Sequence, residues 1–281
     1  MSTKTSAAVA PGEVRRFDTI DRVLHVALMI SFLGLSLTGL PLLFSDRPWA
    51  AALAKLLGGA ELAGLQHRAA AGLMLVCFAT HLLVLGKRIF VERRPGMLWG
   101  PGSLVPQPRD ALEMYAHFRW FVGLGPRPHF GRYTYWQKFD YWAVFWGMGI
   151  IGTSGLIMWF PGVATTVLPG WILNLVLLIH GEEALLAMIF IFTVHFFNEL
   201  LRPEKIFLDP VIFTGRLTIE ELETEHPAEY EELVRTGRLD ARRVGPGAPW
   251  IRTAGRVLAG VAVLVGWTIV GLSINALLRG H

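Results

Sequence analysis

Two pairs of histidines lie in strongly apolar surroundings at nearly the same separation: His67 and His81 are 14 residues apart, His180 and His195 are 15 apart. A fifth, His25, stands near the start of another apolar run. Neutral imidazole is a good axial ligand for haem iron, and an electron-transfer haem takes one such ligand on each face. Two haems would therefore use four histidines at two depths. In a helix rising about 1.5 Å per residue, the two separations span about 21–22 Å, which suits two cofactors stacked across a hydrocarbon core of about 30 Å. At about 100° per residue, 14 steps return to within about 40° of the starting direction and 15 steps to within about 60°, so each helix can turn both histidines toward one interior. The single cysteine, Cys77, excludes the paired-cysteine attachment of a c-type haem, an intrachain disulfide, and an iron–sulfur cluster held by this chain alone. The residues thus point to two haem b groups, with Cys77 read as a small packing residue inside a span.

The elements that must position these side chains are membrane helices. The chain has 281 residues, 53% hydrophobic and only 17% charged, with a mean hydropathy of +0.45. A soluble domain rarely reads so apolar. Five runs reach the roughly 20 apolar residues needed to span a bilayer: Ile20–Phe44, Ala63–Leu85, Phe139–Phe160, Trp171–Phe197 and Ala254–Leu278. The expected fold class is therefore all-α and integral to the membrane, a four-helix haem-binding transmembrane bundle plus a fifth transmembrane helix. Lys and Arg concentrate before the first run, in the 86–138 connection and after the fourth run, whereas 45–62 carries only Arg47 and Lys55 and 161–170 carries none. The excess of positive charge on cytoplasmic loops then puts the N-terminus in the cytoplasm and the C-terminus outside, in the inner membrane. That topology accounts for the net charge of +4, and no nucleic-acid partner is needed to explain it.

Residues 1–14 read as a flexible cytoplasmic arm without the apolar region of a cleavable signal, so the first span is expected to direct insertion. The core covers 15–200 and includes the 86–138 connection, rich in Pro, Gly and aromatics, with a helix expected around Arg109–Phe121. An acidic cytoplasmic segment, 201–252, contains TIEELETEHPAEYEELVRTGRL, whose alternating charges read as a solvated helix face, with a docking role as the second reading. The fifth helix lies in 253–281 and carries Gly255, Ala259, Ala262, Gly266 and Gly271, small residues that permit close helix contact.

With this topology, His67 and His180 share the outer level without a competitor. The inner level offers His25, His81 and His195 for two positions, and spacing alone leaves that choice open. His117 and His129 read as solvent-exposed or interfacial, His226 as lacking any metal-site companion, and His281 as a chain-end residue at the outer surface. Two other classes fit intramembrane histidines: a transporter or ion channel, and a structural anchor for a redox subunit.

The first run reads RRFDTIDRVLHVALMISFLGLSLTGLPLLF and the third GRYTYWQKFDYWAVFWGMGIIGTSGLIMW. The first resembles the opening of the cytochrome b (gamma) subunits of respiratory formate dehydrogenases: an aromatic, an acidic-Arg pair, a histidine three residues on, and an apolar run closing on TGL. The third is similar to their Gly-basic-Tyr and Gln-Lys entry and their closing SGL-x-x-W, and His180 and His195 match their axial histidines. Cytochrome b subunits of hydrogenases and thiosulfate reductases share this core, and the resemblance covers roughly residues 15–200. It implies an inner haem held by His25 and His195, an outer haem held by His67 and His180, and a quinone site beside the inner haem with Gln137 as a contact. It also implies an electron-transfer subunit serving an outer partner, an iron–sulfur protein or a multihaem cytochrome c. Two departures stand out. Thr134 replaces the Asn of the third-span entry, and His81 is additional; it could replace His25, contact quinone or serve a further haem. The fifth helix and the acidic segment lie beyond the formate dehydrogenase core and imply a different redox partner.

Polar companions follow the histidines. Arg68, a candidate contact for a haem propionate, adjoins His67; Glu182 and Glu183 follow His180, and an Arg68–Glu183 contact is expected because buried charges pair. At the inner ends of the spans, Asp18, Asp21, Gln137, Lys138, Asp140, Asn198 and Glu199 are expected to gather, where quinone chemistry needs proton donors. Arg15, Arg16 and Arg22 read either as compensation for inner-haem propionates or as membrane anchors.

Overall fold

The computed structural model describes residues 12–202 and 207–278. The expectations for residues 1–11 and for His281 fall outside the described residues. Five helices are long and apolar enough to cross a membrane: Thr19–Leu43, Ala60–Val91, Tyr135–Trp159, Ile172–Leu201 and Pro249–Leu278. We refer to them as the first to fifth spans. Each overlaps nearly all of one expected run, and the second and fourth continue through a closing π-helical turn, Lys87–Val91 and Phe197–Leu201. A helix satisfies its backbone within its own segment, which hydrocarbon demands. Hydroxyls inside the first span obey the same rule: Ser31 donates to the Ala27 carbonyl at 2.8 Å and Ser36 to that of Phe32 at 2.8 Å. Large apolar side chains such as Val76, Leu83, Leu178 and Leu264 remain exposed on these helices, a surface that lipid covers and water does not favour. The chain is a multi-pass membrane protein.

The chain divides into two compact units. One unit comprises Val23–Leu85, Trp142–Asp209 and the residues from Arg256 onward. Its apolar core joins Leu40 and Phe44 of the first span and its exit, Leu185, Met188, Phe192 and Phe196 of the fourth, and Ala262, Ile269 and Val270 of the fifth. The small residues of the fifth span do what their size permits: Ala259 and Ala262 are buried, and a Cβ added at Gly266 would come 2.6 Å from the Phe192 ring. Cys77 is buried, as expected of a packing residue, and its thiol donates to the Leu24 carbonyl at 3.2 Å.

The other unit comprises the described part of 1–22, Gly86–Tyr141 and Pro210–Gly255. A three-stranded antiparallel sheet ties its segments: β1 (Glu13–Arg15) lies between β2 (Arg216–Thr218) and β3 (Arg243–Val244). Val14 pairs with Leu217 on one side and Arg243 on the other. The helix expected near Arg109 runs over Pro108–Phe121, started by a capping box between Gln107 and Asp110 and by Pro108 in the first turn. The acidic stretch forms two helices, Ile219–Glu225, opened by a Thr218–Glu221 capping box, and Pro227–Arg235.

Two sequence expectations change here. The acidic stretch is not merely a solvated face, because Ile219, Leu222 and Leu233 pack with Val14 and Leu217, and Glu229 is 7% exposed. Glu229 accepts hydrogen bonds from Arg16 at 2.5 Å, Arg132 at 2.7 Å and Arg242 at 2.9 Å. Burial pushes its carboxyl upward, but the charges of Arg16 and Arg132 outweigh that and hold it at about 2. His226 is buried within this group; its Nδ1–H donates to the Gly131 carbonyl at 2.7 Å and Nε2 faces Arg16 at 3.4 Å. His117 is not solvent-exposed either. It is buried with its ring stacked on Trp120 and Trp136, centroids 5.5 and 5.3 Å away, and Nδ1 lies 3.1 Å from the Tyr135 hydroxyl. A flat imidazole stacks well among aromatic rings when its nitrogen keeps a hydrogen-bond partner, which a reading based on chain position alone does not reveal. His129 is exposed as expected.

Candidate functional site: two histidine pairs in a helical bundle

The second and fourth spans bring His67 and His180 together, with ring centroids 6.3 Å apart and planes inclined at 72°. Each ring is held from behind by the preceding span in the same way. His67 Nδ1 lies 2.9 Å from Thr38 Oγ1, and His180 Nδ1 lies 3.0 Å from Ser154 Oγ and 3.1 Å from the Ile151 carbonyl. A carbonyl only accepts, so the His180 Nδ1 carries the proton. The Thr38 hydroxyl spends its own hydrogen on the Gly34 carbonyl at 2.6 Å, and Ser154 on that of Ile150 at 2.7 Å. Both hydroxyls are therefore acceptors toward the imidazoles. The consequence is a fixed tautomer in which each Nε2 keeps its lone pair.

Glycine completes the cradle. An added Cβ at Gly39 would lie 3.2 Å from His67 Cε1, and one at Gly155 would lie 3.2 Å from His180 Cε1. The unit Ser/Thr-Gly-Leu on one span facing a histidine on the next thus occurs twice, as Thr38-Gly39-Leu40 with His67 and as Ser154-Gly155-Leu156 with His180. The two triplets stand in the sequence, but their role depends on pairing across 29 and 26 residues, which no local pattern reveals.

The second level is built differently. His25 Nδ1 is buried without a hydrogen-bond partner, and His195 and Glu199 lie within electrostatic reach of that ring. His195 closes a π-helical turn, Ile191–His195. Such a turn takes up one extra residue, so the 15-residue separation from His180 acquires the phase of 14 α-helical steps, about 40° from the starting direction instead of about 60°. His81 rests edge-on against Phe145 of the third span, centroids 6.2 Å apart.

The remaining expectations divide. The Arg68–Glu183 contact does not form: Arg68 is exposed and Glu183 accepts from the Trp146 indole at 3.4 Å. One step beyond His67, Arg68 is turned about 100° away from it. Gln137 and Thr134 cap the third span reciprocally, Gln137 Oε1 accepting from the Thr134 N–H at 3.3 Å and Thr134 Oγ1 from the Gln137 N–H at 3.4 Å. The charged group forms separate pairs. Arg88 binds Asp21 through both carboxylate oxygens at 2.8 and 3.1 Å and Asp18 at 3.3 Å, while the Lys138 ammonium is buried on Asp110 at 2.7 and 2.9 Å. Beside that pair, Glu113 has Oε2 buried without a hydrogen-bond partner, and burial together with the Asp110 charge pushes its carboxyl up. Arg16 is committed to Glu229, whereas Arg15 and Arg22 line a polar cavity of about 220 Å³ with Arg216.

The geometry can be tested against a bridging metal. Imidazole nitrogens bind first-row metals at about 2.0–2.1 Å, so two rings on opposite faces of one ion have centroids about 6 Å apart. The His67–His180 separation fits that arrangement, and the orphaned His25 nitrogen marks the second level as incomplete in its own hydrogen bonding. Among the described residues no cluster of three or more His, Cys, Asp or Glu could hold a bare metal ion. Comparison with known proteins finds no family model that matches this chain and no matching curated protein.

Proposed function

We propose that this protein is a dihaem cytochrome b, the membrane subunit of a respiratory oxidoreductase, built as a four-helix haem-binding bundle with an added fifth helix. In this reading it sits in the inner membrane with its N-terminus cytoplasmic, and passes electrons between a quinone pool at the inner level and a redox subunit at the outer surface. The observation that carries the proposal is the His67–His180 pair, two rings at bis-axial separation with their Nδ1 protons already engaged. His25 and His195 supply the inner pair. Haem, when bound, supplies a one-electron carrier at each level. The chain's own task is to fix the ligand tautomers and hold the rings in place. Asp110 and Glu113 of the helix Pro108–Phe121, with Lys138 of the third span, offer exchangeable protons for quinone chemistry, the Glu113 carboxyl being pushed up by burial and by the Asp110 charge.

An absorption spectrum of the purified chain tests this directly. The expected result is a reduced-minus-oxidised difference of b type with two haems per chain; a chain that binds none would overturn the reading in favour of a transporter or a structural anchor. A finer expectation concerns Thr38. An acceptor on Nδ1–H makes an imidazole a stronger donor to ferric iron. Thr38→Val should therefore raise the midpoint potential of the outer haem in a redox titration and leave the inner one unchanged, whereas Ser154→Ala should have a smaller effect because the Ile151 carbonyl remains.

A further inference from the structure

The fifth span carries no histidine between Pro249 and Leu278, yet it touches a backbone irregularity beside the inner ligand. In the π-turn Ile191–His195 the Phe196 N–H bonds to the Ile191 carbonyl, five residues back. The Phe192 carbonyl, which a regular helix would pair with that N–H, instead accepts the indole N–H of Trp267 at 2.9 Å. One residue earlier, Gly266 lets the fifth span close onto the Phe192 ring, where an added Cβ would come within 2.6 Å, and onto Phe196 at 3.0 Å. Phe192 is 1% exposed and also meets Phe32 of the first span edge-on at 5.5 Å. The turn is therefore held from outside by a hydrogen bond and from inside by a packed ring.

We propose that the fifth span is a positioning element for His195, acting through Trp267 and Gly266 on the π-turn. A π-turn competes with a regular α-helix in which one residue is squeezed out and the phase of everything beyond it changes by about 100°. In hydrocarbon there is no water to stabilise an underused carbonyl, so a donor from a neighbouring helix biases that competition. Trp267 is such a donor, and it is aimed at the carbonyl three residues before His195. Loss of the indole N–H loosens the turn, and with it the inner axial bond, without touching the His67–His180 pair. The inference rests on His195 being an axial ligand.

The test is Trp267→Phe in the full chain, which removes the donor and keeps an aromatic ring on a half-exposed surface, together with Gly266→Ala, which pushes on Phe192. Carbon monoxide is the probe, because a haem with both axial positions filled by histidine does not take it up. The unmodified chain is expected to show almost no reaction of its reduced haems. Trp267→Phe is expected to make about half of the haem reactive and to shift the midpoint potential of the inner haem alone, and Gly266→Ala is expected to do the same. A Trp267→Phe chain with two unreactive haems and two unchanged potentials would overturn this proposal and leave the dihaem reading intact. An unmodified chain without haem would overturn both. Should Gly266→Ala fail to accumulate, Trp267→Phe decides alone.

Discussion

Replacing His180 with alanine should lower the haem content from two per chain to one, and replacing His67 should remove the same haem. The two substitutions together should cost no more than either alone, since in the proposed reading both rings serve one site. This is the largest functional effect expected, because the third-span residues that touch the His180 ring offer no replacement ligand. Gly155 on one side and Ser154 on the other are a bare backbone edge and a hydroxyl already spent on the Ile150 carbonyl. His25→Ala and His195→Ala should each remove the other haem, and His81→Ala should keep both, since its ring rests on Phe145. Haem quantified on purified variants, with the potential of the surviving haem, decides the assignment. Loss of a haem from His81→Ala, with retention of both in His25→Ala, would transfer the inner ligand to the second span.

Glu229→Gln should destabilise the unit built around β1 by about 3–5 kcal/mol, the usual cost of removing one partner from a buried ionic group. Arg16 and Arg132 would then face each other without the carboxylate between them, with side chains 4% and 20% exposed. The pH dependence has a definite sign. The folded carboxyl is held at about 2, below its ordinary 4.5, so its contribution is fully present above the ordinary value and is lost as pH falls toward 2. Acid unfolding of the unmodified chain should therefore steepen below about pH 4.5, and Glu229→Gln should lack that component. Hydrogen exchange at the Val14 and Leu217 amides, which lie in the sheet beside Glu229, reports the unit directly. Equal protection in both chains would show that Glu229 does not hold it.

Much of this arrangement is legible in the sequence, for a physical reason. A membrane helix announces itself by length and hydropathy, and a polar side chain inside it must find a partner, so the five spans and the histidines stand out residue by residue. The approach of His67 to His180 follows from their shared depth alone. What lies beyond is set by neighbours that sequence does not order. Glu229 reads as one acid among many until Arg16, 213 residues away, is placed against it. His117 reads as a loop histidine until Trp120 and Trp136 enclose it. The π-turn leaves one trace, a separation of 15 where its counterpart has 14, but the compensating Trp267 contact crosses 75 residues. The expected Arg68–Glu183 pair does not form because Arg68, one step beyond His67, is turned about 100° away from that ring.

The central strand β1 ends at Arg15, its partners begin at Arg216 and Arg243, and Glu13 pairs with Val244. A ribosome adding about 5–20 residues per second needs roughly 10–45 s to travel from the first of these strands to the last. During that interval four of the spans have left the ribosome while β1 waits with both edges open. Completion of the sheet therefore reports that the chain has been made as far as the threshold of the fifth span, and a product truncated after the fourth span would expose β1 as a mark of its own incompleteness.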